Sequence, residues 1–225
     1  MMKLFRVLTI LGASVFAANI DDRIQQYILK HPDVVAQALE LYAKNQMNEK
    51  LEQVVASQDG DIVLANQKAP NRLVAYIDYR CSACQKSYPW VKDFIQAHPD
   101  VALVLRPLPV LGGEATRAAL LAYEAEKKGA IAQYNEALLD KSGPVNAERL
   151  SELEQSLGLE TVSIEGKPHW ALSYVKSHYK QSALLDNQSV PLYLLRVDGE
   201  VKVLQGIHVS SLDDAYQQLV SHASH

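Results

Sequence analysis

Cysteine is nearly absent from this chain of 225 residues: Cys81 and Cys84 are the only two. That scarcity excludes a fold stapled by many disulfides. There is no second C-x-x-C to complete a structural zinc site, and no spacing recruits His98 or His169 to one. Beyond Met2, Met47 is the only methionine, so no methionine cluster marks a metal carrier. Excess positive charge is missing too. The formal charge is −4, which argues against nucleic acid or an anionic membrane as partner. No apolar run reaches the length of a bilayer span. Repeats and low-complexity tracts are absent.

The N-terminus reads as an address. Lys3 and Arg6 precede an apolar run from Val7 to Phe16, and Val15 with Ala17 fits signal-peptidase cleavage. Residues 1–17 are therefore expected to be a secretory signal peptide, with a mature chain from about Ala18. Its loss removes two cations and no acid, leaving a more acidic protein. A secreted chain with a single C-x-x-C uses it for chemistry rather than as a staple. Loop closure in so short a ring would add only ~2 kcal/mol.

Hydrophobic periodicity predicts the elements. Residues 18–58 read as a helical segment with a break at His31-Pro32, since proline suits a first helical turn. Its second helix carries Val35, Ala38, Leu39 and Tyr42, then a polar gap from Lys44 to Lys50, then Leu51, Val54 and Val55. Such a gap fits an oligomerisation stalk or a helix folded back on its own domain. Strands follow at Ile62–Leu64, Arg72–Asp78 and Val101–Leu105, the last buried and parallel in character. A helix occupies Cys84 to Ala97. Four helical stretches (114–128, 131–139, 146–157 and 169–185) form an insertion at about 113–186. The strand Leu192–Val197, an Asp198-Gly199 hairpin and a return strand to Gln205 come next. A last helix starts near Ser210 or Ser211, either a good cap. The sum is an α/β chain with a catalytic domain over 59–225.

Chemistry concentrates where a strand runs into Cys81-Ser82-Ala83-Cys84 and a helix begins, the thioredoxin-type redox arrangement. Free N–H groups and the positive end of the helix dipole stabilise a thiolate at that position. The thiolate is the species that attacks disulfides. Cys81 is the expected nucleophile and Cys84 the resolving thiol. Ser82 and Ala83 form the intervening dipeptide. Pro191, where the hairpin begins, fits a cis-proline loop. Asp78, three residues before Cys81, reads either as a strand-end acid facing water or as part of the site. Arg80 reads as a thiolate-stabilising cation or a solvated one.

These residues resemble a known family. Tyr76-Ile77-Asp78-Tyr79-Arg80-Cys81-Ser82-Ala83-Cys84 is similar to the strand and active site of periplasmic DsbA-like thiol oxidoreductases. Pro107-Leu108-Pro109-Val110-Leu111-Gly112 resembles the turn before their helical insertion, and Tyr134 to Leu139 a motif within it. Val190-Pro191 matches their cis-proline, and 199–206 their closing hairpin. Tyr27 to Leu39 resembles the leading segment of the suppressor-of-copper-sensitivity C (ScsC) branch. The resemblance implies a thioredoxin-like fold, no cofactor, a periplasmic location and protein substrates with cysteines. It also implies a membrane redox partner that resets the pair, and a homo-oligomer, trimer or dimer. Val190 and Pro191 would bind extended substrate backbone.

Oxidase and isomerase signals conflict: Ser82-Ala83 replaces the Pro-His of strong oxidants, and Ala75 replaces a commonly buried acid, yet Val190 has the oxidase pattern. The N-terminal segment favours isomerase or mixed activity. The alternative is a Cu(I)- or client-binding protein with little turnover, since thiolates are soft ligands.

Overall fold

The computed structural model describes residues 19–140, 143–163, 168–186, 188–206 and 210–223. The expected signal peptide lies outside the described residues. The chain divides into two compact units, residues 1–46 and 47–225.

In the first unit, helix α1 (Ile20–Lys30) carries Asp21 and Asp22 in its first turn and Lys30 in its last, the arrangement the helix dipole favours. Helix α2 (Pro32–Val55) begins on the proline, as expected from Pro at a first turn. Every described residue up to Lys50 is exposed, including Ile24, Tyr27, Ile28, Leu39 and Tyr42.

The second unit is built on one five-stranded sheet in the order β1-β3-β2-β4-β5. The strands are β1 (Ile62–Ala65), β2 (Asn71–Ile77), β3 (Val101–Pro107), β4 (Leu192–Val197) and β5 (Glu200–Gln205). Strands β2 and β3 run parallel, while the β1–β3, β2–β4 and β4–β5 pairs are antiparallel. Helix α3 (Ser82–Ala97) supplies the crossover between the parallel pair. Then come α4 (Gly113–Lys127), α5 (Ile131–Asn135), a π-helical turn (Glu136–Asp140), α6 (Ala147–Ser156) and α7 (Leu172–Ala183), and α8 (Ser210–Ala223) closes the chain.

The continuous apolar character of β2 and β3 follows from burial on both faces. Leu73, Ala75 and Ile77 point into the larger core with Phe94, Leu121 and Leu138. Val74 and Tyr76, alternating with them, point into a second core with Val104, Leu192 and Leu194. Leu51, Val54 and Val55 of α2 close that second core.

The second compact unit begins at Met47, inside the polar gap, and the apolar end of α2 packs in the second core. Two expectations change. The 131–139 helix finishes as a π-helical turn. The helix expected from His169 to Leu185 is shorter. The rings of His169 and Trp170 instead donate toward the buried carboxylate of Glu124, so the helix starts after them.

Candidate redox site

The parallel strand β2 ends at Ile77 and delivers a turn, Asp78 to Arg80, closed by Cys81 N–H on the Asp78 carbonyl at 3.0 Å. Cys81 then occupies the N-cap of α3 in extended conformation, and its sulfur accepts the Cys84 N–H at 3.4 Å. The sulfur thus stands where a serine or aspartate oxygen usually caps a helix. Antiparallel pairing of Tyr76 with Leu192 places the start of β4 beside the end of β2. Pro191 therefore arrives next to the cysteines. The Val190–Pro191 bond is cis, and the Val190 carbonyl oxygen lies 3.7 Å from the Cys81 sulfur.

Burial separates the two thiols. Cys81 is half-buried, whereas Cys84 is buried at 1% exposure. The hydrogen bond from the Cys84 thiol, helped by the N–H groups of Cys84 and Ala83, lowers the Cys81 pKa to about 6. Burial opposes this, and so does the charge of Asp78. Burial pushes the Cys84 thiol strongly up, reinforced by its bond to Cys81 and the Cys81 charge. The N–H of Asp78 acts in the other direction on Cys84. Ser82 is exposed and Ala83 partly so.

The surrounding residues were only partly anticipated. Asp78 does not face water: it is 1% exposed. Its carboxylate accepts the N–H of Arg80 at 2.8 Å and of Leu111 at 2.9 Å. Arg80 donates to the Leu111 carbonyl at 2.8 Å. The Ser87 hydroxyl donates to the Cys84 carbonyl and meets the Tyr193 hydroxyl at 2.6 Å. Gln85 donates to the Tyr79 and Gly143 carbonyls. Ser87, Gln85 and Tyr193 carried no sequence signal, because a buried polar partner resembles any other helix or strand residue. Among the described residues no group of three His, Cys, Asp or Glu side chains could hold a metal.

Comparison with known proteins places this geometry. The family model described as thioredoxin matches residues 57–189. None of the curated proteins matches the chain. Among solved structures, a thioredoxin-like oxidoreductase from Silicibacter pomeroyi DSS-3 is 24% identical, with a TM-score of 0.64, over 73% of this chain and 95% of that one. A periplasmic thioredoxin-like protein from Salmonella enterica serovar Typhimurium is 18% identical, with a TM-score of 0.65, over 76% and 96%. A linker-deletion variant of ScsC from Proteus mirabilis is 16% identical, with a TM-score of 0.67, over 94% and 99%. At these identities the structures share the fold.

Proposed function

The chain belongs to the thioredoxin family, and from that premise we propose that it is a periplasmic thiol–disulfide oxidoreductase acting on secreted proteins. One observation carries the reading: Cys81 caps a helix with a thiol lowered to about 6, directly above a buried Cys84. At neutral pH the first is a thiolate and a nucleophile, and the second stays protonated until needed.

In the reducing direction, the Cys81 thiolate attacks one sulfur of a substrate disulfide. A mixed disulfide forms, and the other substrate sulfur leaves as a thiolate that takes a proton from water. Cys84 then loses its proton and attacks the Cys81 sulfur. The second substrate thiolate is released and the Cys81–Cys84 disulfide is left. Oxidation of a substrate dithiol runs the same steps backwards. In isomerisation a different substrate thiolate releases Cys81, so the pair ends reduced. The backbone at Val190 and Pro191 is the surface assigned to pairing with extended substrate backbone. A membrane partner would reset the pair.

Isomerase or mixed activity is the favoured form. It rests on the N-terminal unit, which exposes apolar side chains among its described residues: Leu39 is 63% and Tyr42 64% exposed. Self-association, as trimer or dimer, would cover them and place several thiols around one client. The deciding experiment is reactivation of scrambled ribonuclease by the mature chain and by a form beginning at Met47. A start near Asp59 would strip Leu51, Val54 and Val55 from the second core and confound the comparison. Reactivation by the longer form alone supports an isomerase built by oligomerisation. If both forms oxidise reduced ribonuclease and neither reactivates the scrambled protein, the chain is a dithiol oxidase.

A further inference from the structure

The loop after β3 is held against the redox turn by both of its polar backbone ends at one residue. The N–H of Leu111 donates to the Asp78 carboxylate at 2.9 Å, and the carbonyl of Leu111 accepts from Arg80 at 2.8 Å. The same loop is tied at its base, where Leu108 N–H donates to the Ile77 carbonyl at 2.7 Å. The Tyr179 hydroxyl of α7 donates to the Pro109 carbonyl. Asp78 stands at the centre of this arrangement. Its own carbonyl accepts from Cys81 N–H at 3.0 Å. A buried carboxylate with backbone donors on both oxygens cannot turn away to water.

We propose that Asp78 is a positioning residue of the redox centre, locking the 108–112 loop to the C-x-x-C turn and opposing negative charge on both sulfurs. The proposal deepens the oxidoreductase reading and rests on it. Several neighbours bear on the titration. Cys84 from α3 and Tyr193 from β4 face Cys81. Arg80 from the turn and Tyr179 from α7 face Asp78. Burial raises the Asp78 pKa, while the N–H groups of Arg80, Leu111 and Val110 and the Arg80 charge lower it. In that setting the carboxylate acts as a restraint: it limits how strongly the helix start and Cys84 stabilise the thiolate.

The test is Asp78→Asn in the full mature chain, which removes the charge and keeps the shape. Two readouts separate the two roles. The alkylation midpoint of Cys81 is expected to fall by about half a pH unit, a roughly threefold change in thiolate fraction below the midpoint. The Leu111 amide is expected to exchange with deuterium faster. Asp78→Glu, which keeps the charge, should restore most of the midpoint. A folded Asp78→Asn with an unmoved midpoint and unmoved Leu111 exchange overturns the proposal. If the amide prevents folding, Asp78→Ser replaces it, with the same two shifts expected and their joint absence again overturning the proposal. Alkylation needs no substrate, so it tests Asp78 independently. Failure of the parent chain to turn over ribonuclease would instead remove the oxidoreductase reading.

Discussion

Cys81 and His178 show how placement alone changes a side chain's chemistry. Cys81 gains a hydrogen bond from Cys84 and the N–H groups of a helix start, and its pKa falls from 9.0 to about 6. Rapid alkylation by iodoacetamide is expected with a midpoint near pH 6, at Cys81 alone until the protein is denatured. The same shift has a stability consequence. Between about pH 6 and 9 the unfolded thiol holds a proton that the folded one has lost. Stability of the reduced protein should therefore rise across that window and be lost as pH falls through it. Denaturation at several pH values should show this slope, and Cys81→Ala should remove it. His178 is the second case. It is fully buried, its Nδ1 lies 3.1 Å from the Pro107 carbonyl, and its Nε2 has no partner among the described residues. Burial lowers its pKa from 6.5 to about 4. The unfolded histidine binds a proton between pH 6.5 and 4 that the folded one refuses, so acid should cost on the order of 3 kcal/mol over that interval. His178→Leu is expected to flatten that part of the profile. A profile unchanged by the substitution would deny His178 this part in the acid response.

At the scale of elements, the end of α2 is the informative piece. Arg106, near the end of β3, is fully buried and donates to the carbonyls of Val54 and Ala56 while pairing with Asp61 at 2.5 Å. A cation there satisfies the last carbonyls of α2 and suits the negative end of its dipole. Gln181 of α7 and the Tyr76 hydroxyl complete its shell. Burial of Val54 and Val55 adds about 1.5–3 kcal/mol each. Arg106→Met removes one of the two arginines paired with buried Asp61, leaving Arg72 at 3.4 Å, and strips the donors from the Val54 and Ala56 carbonyls; it should cost about 3–5 kcal/mol, read by urea denaturation. The Cys81 midpoint should stay near pH 6 in the same variant, because Arg106 is not among the groups that set it. The sequence hinted at this junction through the polar gap from Lys44 to Lys50, which coincides with the division after Gln46. It did not reveal the anchor. Arg106 sits at the end of an apolar strand, where alternation alone reads as a residue leaving the core. The strands, the C-x-x-C at a helix start and the proline beside it were legible, because period, turn chemistry and spacing are local properties. The burial of Asp78 was not, since it depends on the backbone of Leu111, 33 residues away.

The whole chain combines a compact sheet domain with a helical unit whose described residues are all exposed. Residues 19–46 expose a row of apolar side chains that an isolated helix gains little by displaying. A homo-oligomer assembled through this unit is the expected state. Light scattering should give a trimer or dimer for the mature chain and a monomer for the form starting at Met47. Equal masses per particle for both forms would remove the oligomer from the mechanism. The shortened form should keep the Cys81 midpoint, since the hydrogen-bonding groups and the charge that set it, on Cys84, Ala83 and Asp78, lie within the unit that begins at Met47.

In the proposed cycle Cys81 attacks and Cys84 resolves. The most direct measurement is mass spectrometry of Cys84→Ala after incubation with scrambled ribonuclease. The expected result is a covalent adduct through Cys81, released by dithiothreitol and absent from Cys81→Ala. No adduct in a folded Cys84→Ala, at a pH where Cys81 alkylates readily, would contradict that cycle.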